Sequence, residues 1–571
     1  MSKKSKRLNP TPAEAARPHG ATAEPSAARE AAWALDPASL SPNLILAAVL
    51  GLHALLMAAV FNPTIFTGGD NGVYVALSRA LLEGRGYVSV HDPSLSPHTL
   101  YPPGYPMILA LGSWVGFTPW VPIKILSALF AAAGVGFTCL WARRHAPAGV
   151  AVSVAVLVAV SPGLLARGQE ELSDVPFWAF TMLVLWAVQG LPREDTRRTV
   201  LAGAATGVGY LIRTAAIPLV VAALAWFIWE RRWRQLAIYA AFVLPVVIGW
   251  WLWTNAQAGA DPTYGAYANV FWLKNHYDPS LGEASFLDLF TRVFANAERY
   301  GAVMLPLLLT GRPGGAVAVL GYGVIALSIV GWALRVRRPG LVEVFFPLYA
   351  GMIAVLPPPW AGERYLLPIF PVALSYAAQG VARAMRAWSP RARTLAGAGA
   401  VAFVLLIAGR PLVLAAERGS ICREAFAGGQ RYACLEPAWQ EYLGMAEWAK
   451  AELPKDAVVI SRKPGLFYAL SDRMGIDIPK TPDPDEYLRV AEAAGADYLI
   501  LDQVDFLTPQ YSVPVVQRYP RSFCVVRMGD VEGTAVLRIR YEVPRQHDMV
   551  EPQSEIHLDL CPDTVTGPAA P

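Results

Sequence analysis

Charged residues are scarce in this 571-residue chain. Aspartate, glutamate, lysine and arginine make up 16% of it, while 54% of the residues are hydrophobic. Soluble domains carry roughly 25% charged residues, so the composition excludes an ordinary soluble domain. Apolar runs of about 18 residues or more recur along the chain, and each is long enough to cross a hydrocarbon core. The composition therefore predicts a mostly α, polytopic membrane protein.

The chain also lacks a glycine-rich phosphate loop, any other nucleotide motif and an internal repeat. Transporters often show matched halves with broken helices, and none are recognisable here. Cysteine is rare, with five residues, and Cys139 falls in an apolar run where it is expected to be a small core residue. The other four cysteines follow the last apolar run and allow three pairings. Proximity along the chain favours Cys422 with Cys434 and Cys524 with Cys561.

The apolar runs predict eleven spans within a transmembrane domain of residues 41–413. Residues 1–40 are polar, rich in alanine and proline and basic at the start, which predicts a disordered cytoplasmic tail before an uncleaved anchor. The spans are 43–61, 121–142, 148–166, 175–190, 199–212, 214–230, 235–254, 315–334, 342–358, 364–385 and 394–413. The apolar segments 104–118 and 300–311 are shorter and are predicted to be re-entrant or interfacial. If both crossed, the count would be thirteen.

Basic residues sort to one side of these spans. With the N-terminus placed inside, every basic cluster falls in a loop on the cytoplasmic side, as the positive-inside rule requires. The clusters are Arg143–Arg144–His145, Arg193 with Arg197–Arg198, Arg231–Arg232 with Arg234, Arg335 with Arg337–Arg338, and Arg386 with Arg391 and Arg393. An odd number of crossings then places residues 414–571 outside the cytoplasm.

Residues 435–545 differ in character from the spans. Helical patterns alternate with short buried-strand runs, which predicts a small extracytoplasmic α/β domain. The expected helices are Trp439 to Glu452 and Asp485 to Ala494, and the expected strands are Ala457–Ile460, Tyr498–Leu501, Cys524–Val526 and Ala535–Ile539. No metal-ligand spacing occurs in this domain, and a loose tail is expected after about residue 545.

A single carboxylate, Asp70, follows the first span within Thr67-Gly-Gly-Asp-Asn-Gly. The helical spacing of apolar residues after it predicts an amphipathic helix at the membrane interface, and Gly68 and Gly69 permit a tight turn before that helix. Asp70 is a candidate general base or an anchor for an acceptor hydroxyl. It is also well suited to cap the helix, and the two roles are compatible.

The same loop ends in Tyr101-Pro-Pro-Gly-Tyr-Pro106. Tyr101, Pro102 and Pro103 would shape a rigid return of the chain into the membrane. A plain helix start with proline in its first turn explains the same motif. Its occurrence in one loop with Asp70 favours a role in shaping the site.

Three acids lie in the short turn 167–174 between two spans. Acids at membrane depth are costly and mark functional sites. Asp174 is nearest the following span and is the best catalytic candidate, although it could simply cap the helix before Pro176. Glu170 and Glu171 are expected to be solvated.

Two arginines lie at the predicted outer face. Arg213 interrupts an apolar stretch too long for one span, so it should lie at the tip of a helical hairpin, and Arg364 starts a later span. Arginine binds phosphate through paired donors, and without a nucleotide motif these residues indicate a lipid-linked phosphate. Lys124 is a further candidate phosphate ligand. Snorkelling towards the interface is the alternative for all three.

Two other groups of residues suggest less specific sites. His91, Asp92 and His98 share the first outer loop and leave room for a divalent metal, although their spacing matches no strong motif. Tyr264, Tyr267, Trp272 and Tyr277 could stack on sugar faces, or could form an interfacial aromatic belt.

Together these motifs resemble the GT-C glycosyltransferases, and in particular the protein O-mannosyltransferases, lipid A aminoarabinose transferases and bacterial RgtA-like glycosyltransferases. The resemblance covers about residues 43–413 and rests on the order of the motifs. They are Gly69-Asp70, Tyr101-Pro-Pro-Gly-Tyr-Pro106, Glu171-Leu-Ser-Asp174-Val-Pro176 and Arg364-Tyr-Leu-Leu-Pro368.

The resemblance implies inverting hexosyl or pentosyl transfer from a polyprenyl-phosphate sugar to an acceptor hydroxyl, on the outer face of a bacterial inner membrane. Asp70 would take the acceptor's proton, and Asp174 would be the second acid. Arg213 and Arg364 would stabilise the leaving lipid phosphate. The implied partners are the lipid-linked donor, membrane lipid and a glycan, lipid or protein acceptor, with no nucleic acid and no certain cofactor.

Two departures from the family bear on the acceptor. Mannosyltransferases of this group show an acidic pair after the first span, where this chain has Asp70 and Asn71, and the β-trefoil insertion is absent. The acceptor therefore stays open. Two other classes of function also remain: a transporter or lipid flippase without glycosyl transfer, and a non-catalytic assembly protein that uses its C-terminal domain for contacts.

Overall fold

The computed structural model describes residues 41–116, 120–257, 267–337, 339–543 and 558–562. The predicted tail 1–40, Tyr264 and most of the chain after residue 545 lie outside these ranges. The described chain is mostly helical, with one five-stranded sheet near its C-terminal end. The predicted class, mostly α with a small C-terminal α/β region, is confirmed.

Ten helices form the first half of the chain. They are α1 Pro42–Val60, α2 Asn71–Leu82, α3 Gly104–Trp114, α4 Val121–His145, α5 Ala148–Ala159, α6 Pro162–Arg167, α7 Asp174–Val188, α8 Thr196–Ile212, α9 Ile217–Trp229 and α10 Trp233–Ala256. The predicted span 148–166 is two helices, because the Ser161 hydroxyl accepts the Leu164 amide hydrogen at 3.1 Å and Pro162 starts α6.

Seven helices complete the apolar part of the chain. They are α11 Tyr267–Trp272, α12 Phe286–Arg299, α13 Leu305–Thr310, α14 Ala318–Arg335, α15 Leu341–Ala354, α16 Phe370–Ala384 and α17 Pro390–Ala427. A π-helical turn, Tyr300–Met304, precedes α13, and a 3-10 turn, Glu363–Leu366, lies ahead of α16. Arg364 therefore lies in a turn before a span rather than at the start of its helix. Helix α17 runs through the predicted domain boundary at 413/414, which stays a prediction.

Every predicted span contains a helix. Among the described residues, five helices are long and apolar enough to cross a membrane, namely Pro42–Val60, Val121–His145, Trp233–Ala256, Gly315–Arg335 and Arg391–Ala427. Four shorter apolar helices are Ala148–Ala159, Asp174–Val188, Thr214–Trp229 and Leu341–Ala354. The count of eleven crossings stays a prediction.

Four of the five basic clusters predicted to face the cytoplasm are connected at one end of the helix bundle. Arg144 at the end of α4 donates to the Trp186 carbonyl in α7 at 3.0 Å, and Arg335 at the end of α14 donates to the His145 carbonyl at 3.3 Å. Arg193 donates to the Glu230 carbonyl after α9 at 2.8 Å. These loops therefore share one side, as the charge pattern requires.

The C-terminal region is an α/β unit with a mixed sheet. Its elements are α18 Pro437–Glu452, β1 Val458–Ile460, α19 Pro464–Ser471, β2 Met474–Ile476, α20 Pro484–Ala493, β3 Tyr498–Leu501, α21 Val513–Arg518, β4 Phe523–Met528 and β5 Ala535–Ile539. The strand order is β2-β1-β3-β5-β4, with β1 parallel to β2 and β3 and with β5 antiparallel to its neighbours. The two favoured disulfides, Cys422–Cys434 and Cys524–Cys561, are both confirmed.

Helix α2 packs directly on the C-terminal unit. A β-carbon on Gly72 would lie 2.3 Å from the Leu466 backbone, and one on Gly465 would lie 2.6 Å from the Val73 side chain, so α2 and α19 approach each other at two glycines. Arg79 adds an ion pair with Asp472 at 3.0 Å. The prediction of an interfacial amphipathic helix is wrong for α2: most of its residues are buried, because α19 covers the face that would meet water.

Candidate functional site

A cavity of about 800 Å³ lies where the first outer loop, the turn 167–174, the turn before α16 and the C-terminal unit meet. Its wall includes three predicted site residues, Asp70, Arg213 and Arg364, together with Tyr101. These residues come from four separate parts of the chain. The structure therefore brings together the residues on which the functional hypothesis depends.

Asp70 faces the cavity at the start of α2. The turn before it requires Gly69, whose φ of +70° lies in the left-handed region. Asp70 occupies the capping position of α2, but its side chain makes no capping hydrogen bond. Among the described residues, the carboxylate has no hydrogen bond or ion pair, which leaves it available as a proton acceptor.

Asn71 occupies the position where the resemblance to mannosyltransferases led us to expect a second acid. Its side-chain amide donates to the Phe66 carbonyl at 2.6 Å, and the residue is buried. A carboxylate could not make this bond, because an ionised acid has no donor. The departure from the acidic pair is therefore tied to the turn that presents Asp70.

Asp174 lies beneath the two arginines. Its Oδ1 is 3.0 Å from Arg213 Nη1, and its Oδ2 is 3.9 Å from Arg364 Nη1. The carboxylate is buried, and it is absent from the cavity wall that the described residues form. Among the described residues, Asp174 Oδ2 also has no hydrogen-bond partner. Asp174 is thus placed to hold both guanidinium groups, and its predicted role as a second catalytic acid stays a prediction.

Backbone geometry explains how Arg213 reaches the site. Helix α8 ends at Ile212, Arg213 is extended, and the chain re-enters a helix through the 3-10 turn Thr214–Ala216, as expected for a hairpin tip. The ring of Tyr365 packs against Arg213 and Arg364, with guanidinium carbons 5.3 Å and 5.1 Å from its centre. Such contacts stabilise a partly desolvated cation.

A polar chain connects Arg213 to α2. Arg213 Nη1 donates to the Ser173 hydroxyl at 3.1 Å, and that hydroxyl lies 3.0 Å from the hydroxyl of Tyr74. The Tyr74 ring packs against Tyr101 and Tyr105 at 5.1 Å and 5.0 Å. The helix that carries Asp70 and the turn that carries Arg213 are therefore fixed to each other.

The Tyr101-Pro102-Pro103 motif contributes Tyr101 to the cavity wall, and its predicted loop-shaping role stays a prediction. Pro103 is the residue before α3, and the Tyr101 carbonyl accepts a hydrogen bond from the Tyr87 hydroxyl at 2.7 Å. A β-carbon on Gly104 would lie 2.6 Å from the Leu211 backbone, so α3 crosses α8 at close range. The motif therefore packs the loop against the helix that ends at Arg213.

Lys124 does not reach the cavity wall. Its ammonium donates to the Thr64 carbonyl at 2.7 Å and lies 3.7 Å from Glu171 Oε1, with both side chains buried. Glu171 also accepts the Phe66 amide hydrogen at 3.2 Å. The geometry favours a structural ion pair over the predicted phosphate contact, because both ends of the pair are committed inside the protein.

The prediction that Glu170 and Glu171 are solvated is wrong, because both are buried. Burial raises the pKa of Glu170 to about 7, opposed by the nearby Arg167 and Lys124 charges. Arg167 lies 2.8 Å from Glu170 and 3.1 Å from Glu363, and it belongs to the cavity wall. Arg167 was not expected in the site, although its place next to Glu170 could have indicated it.

The C-terminal unit supplies cavity residues that the sequence did not indicate. Arg462, Lys463, Lys480 and Asp505 all line the cavity, and Arg462 pairs with Asp505. Burial lowers the pKa of Lys463 to about 8. The motif analysis found no signal here, because these residues lie on short connections between strands and helices.

The weaker candidates have other surroundings. Within the described ranges there is no group of three or more His, Cys, Asp or Glu residues placed to hold a metal. His98 is engaged at both ring nitrogens, since Nδ1 lies 2.9 Å from the Ser89 hydroxyl and Nε2 accepts the Tyr101 amide hydrogen at 3.2 Å. Of the aromatic candidates, Tyr277 lines the cavity.

Comparison with known proteins shows similarity to membrane glycosyltransferases. A family model described as dolichyl-phosphate-mannose-protein mannosyltransferase matches residues 101–253. The predicted resemblance to the GT-C glycosyltransferases is confirmed, and the chain is a multi-pass membrane protein with that fold.

Particular relatives sharpen this class. The undecaprenyl phosphate-α-4-amino-4-deoxy-L-arabinose arabinosyl transferase of Pseudomonas aeruginosa is 30% identical over 213 residues, covering 36% of this chain and 38% of the relative. The matched segment thus spans well under half of that relative's length.

Two solved structures are similar over most of this chain. ArnT from Cupriavidus metallidurans in the apo state has a TM-score of 0.54 at 15% identity, covering 86% of this chain and 97% of that one. The oligosaccharyltransferase of Archaeoglobus fulgidus has a TM-score of 0.52 at 14% identity, covering 83% and 72%. At these identities the likeness concerns the fold.

Proposed function

We propose that this protein is a membrane glycosyltransferase that moves a sugar from a polyprenyl-phosphate donor to an acceptor hydroxyl. The observation that carries the proposal is the cavity in which Asp70, whose carboxylate has no ion pair among the described residues, lies with Arg213 and Arg364. A proton acceptor and a phosphate cradle are the two groups that this reaction needs. A solved ArnT structure of the same fold was determined bound to undecaprenyl phosphate, which supports the choice of donor.

In the proposed reaction, the acceptor oxygen forms a bond to the anomeric carbon while the bond from that carbon to the phosphate oxygen breaks. Asp70 takes the proton from the acceptor hydroxyl, and the polyprenyl phosphate leaves with the electron pair of the broken bond. A positioned base of this kind accelerates a reaction by about 10² to 10⁴. A single displacement of this kind inverts the anomeric centre.

Arg213 and Arg364 would stabilise the charge that develops on the leaving phosphate. Their guanidinium groups are held by the buried Asp174 before substrate arrives. Donors that are already oriented need little reorganisation in the transition state, which is the main source of electrostatic catalysis. Asp174 would thus act as a positioning residue rather than as an acid or base.

The proposed reaction takes place outside the cytoplasm. The cavity lies at the end of the bundle away from the linked basic clusters, which belong inside by the positive-inside rule. The C-terminal unit shares that outer side. The acceptor would be a glycan, lipid or protein hydroxyl, and the sugar a hexose or pentose.

The test is a transfer assay with the full chain in vesicles that contain undecaprenyl-phosphate sugars. We expect release of undecaprenyl phosphate and a new glycosylated product, both read by mass spectrometry. An Arg213→Met/Arg364→Met double variant should lose both signals. Movement of the lipid between leaflets with no sugar transfer would contradict the proposal and would identify a flippase.

A further inference from the structure

The positive charges of the cavity wall are not equivalent. Among the described residues that line the cavity, six are arginine or lysine, and five of them have a carboxylate within ion-pair distance. The pairs are Arg167 with Glu170 and Glu363, Arg213 and Arg364 with Asp174, Arg462 with Asp505, and Lys480 with Asp477. Lys463 is the exception, since no carboxylate of the described chain lies within that distance.

Lys463 reaches from the C-terminal unit to the peptide next to Asp70. Its ammonium donates to the Gly69 carbonyl at 2.7 Å and lies 5.9 Å from the centre of the Trp439 ring. An ammonium has three donors, and this contact uses one. Lys463 is half-buried, and the carboxylates that face it, Asp70 and Asp505, lie beyond ion-pair distance, so the remaining donors of the ammonium are open to an anion.

The backbone of Lys463 is fixed on both sides. The Tyr442 hydroxyl accepts the Lys463 amide hydrogen and donates to the Lys463 carbonyl, each at 3.1 Å. The close approach of Gly72 and Gly465 then sets the distance between the two helices that carry Asp70 and Lys463. Such support is what a preorganised ligand site requires.

Arg364 is also close to Gly69. A β-carbon on Gly69 would be 3.5 Å from Arg364 Nη1, while the Gly69 carbonyl accepts from Lys463. Both cations therefore lie near the same residue in the cavity wall. A tetrahedral oxyanion bound beside Gly69 can offer oxygens to both.

We propose that Lys463 binds a phosphate group of a substrate in this cavity, so that the C-terminal unit forms part of the active site. The inference rests on the proposed function for the identity of the substrate. The phosphate is that of the lipid donor or one carried by the acceptor, and the two sources give different results below.

The charge of Lys463 predicts a pH dependence of phosphate binding. Burial and the facing Arg462 and Arg364 lower its pKa to about 8, while the facing Asp70 and Asp505 carboxylates oppose this. The neighbouring His276 has a pKa lowered to about 4, so it stays neutral between pH 7 and 9. A phosphate monoester has its second pKa near about 6 and stays dianionic in that range. Loss of the Lys463 proton above about pH 8 should therefore weaken phosphate binding.

The experiment measures binding of undecaprenyl phosphate to the full chain in lipid nanodiscs between pH 7 and 9. For Lys463→Gln we expect affinity at pH 7 to fall by about tenfold or more, the value of one charge-assisted hydrogen bond. Lys463→Arg should keep the affinity and lose the weakening near pH 8, since arginine stays charged. Lys450→Gln, which removes an exposed lysine of the same unit, is the matched control and should bind as the wild type does.

A second arm adds inorganic phosphate to protein already saturated with undecaprenyl phosphate. If Lys463→Gln leaves lipid binding intact but abolishes binding of inorganic phosphate, the phosphate belongs to the acceptor. If both arms match the wild type, the inference is overturned. Folding is checked by the Lys463→Arg variant, and an inactive wild type in the transfer assay would count against the proposed function and not against these binding results.

Discussion

The two aspartates predicted to act in catalysis lie in very different surroundings. Asp70 follows a glycine turn and faces the cavity without a partner in the described chain. Asp174 is buried, lies 3.0 Å from Arg213 and 3.9 Å from Arg364, and is separated from the cavity by those side chains. In the sequence, each lies next to a predicted span, and each was therefore a candidate for catalysis.

This difference fits the two roles that we propose for these carboxylates. A carboxylate that accepts a proton needs access to substrate and no competing cation at contact distance. A carboxylate that positions arginines needs the opposite, because the pair is strongest where water is excluded. Two predictions separate these roles and a third tests the Lys124–Glu171 pair, beginning with the largest expected effect.

Asp70→Asn should lower kcat by about 10² to 10⁴ and leave undecaprenyl phosphate binding nearly unchanged, because the amide keeps the shape of the side chain and cannot accept the proton. The measurement is transfer under saturating donor, combined with direct binding of the lipid. Glu83→Gln, at the other end of α2, is the matched control because it removes an exposed carboxylate that pairs with the exposed Arg85. Full activity of the Asp70→Asn variant would show that Asp70 is not the general base.

Asp174→Asn should reduce stability as well as activity. Removing one partner of a buried ion pair leaves the other charge uncompensated and costs about 3 kcal/mol or more. We expect a lower Tm in detergent and weaker undecaprenyl phosphate binding, with a kcat loss smaller than that of Asp70→Asn. A variant with normal Tm and normal lipid binding but no transfer would instead make Asp174 a direct participant in the chemistry.

Substitution of Lys124 should have the smallest effect on substrate binding. Lys124→Met should leave undecaprenyl phosphate affinity within about twofold of the wild type, a difference under about 0.5 kcal/mol. It should lower Tm, because Glu171 loses the cation 3.7 Å away. The double variant Lys124→Met/Glu171→Gln should recover part of that loss. A large drop in lipid affinity at unchanged Tm would restore Lys124 as a phosphate ligand.

Much of the site could be predicted because each residue interrupts an apolar pattern. Asp70, Asp174, Arg213 and Arg364 are polar residues at or near the ends of predicted spans, and polar groups at membrane depth are costly unless they function. The strands Tyr498–Leu501 and Ala535–Ile539 have the bounds that their β-branched and apolar residues indicated. In these places local composition alone determines the structure.

Other features depend on contacts that a linear pattern does not show. Lys463 contacts Gly69, which lies 394 positions earlier in the chain. It also lies just before a short helix, Pro464–Ser471, that the strand and helix patterns missed. The burial of α2 likewise depends on that helix, since its sequence reads as amphipathic until a second surface covers it. Lys124 was misleading for a related reason, because its partner Glu171 was expected to be solvated.

The contact between Gly72 and Gly465 makes the order of synthesis matter. The part of the chain that presents Asp70 is made early, whereas the segment that closes over it belongs to the last quarter. A protein interrupted after its final span would hold Asp70 and both arginines, yet would lack the part of the cavity wall that the C-terminal unit supplies. For the same reason, exchanging the C-terminal unit between relatives should succeed only when the matching surface of α2 is exchanged with it.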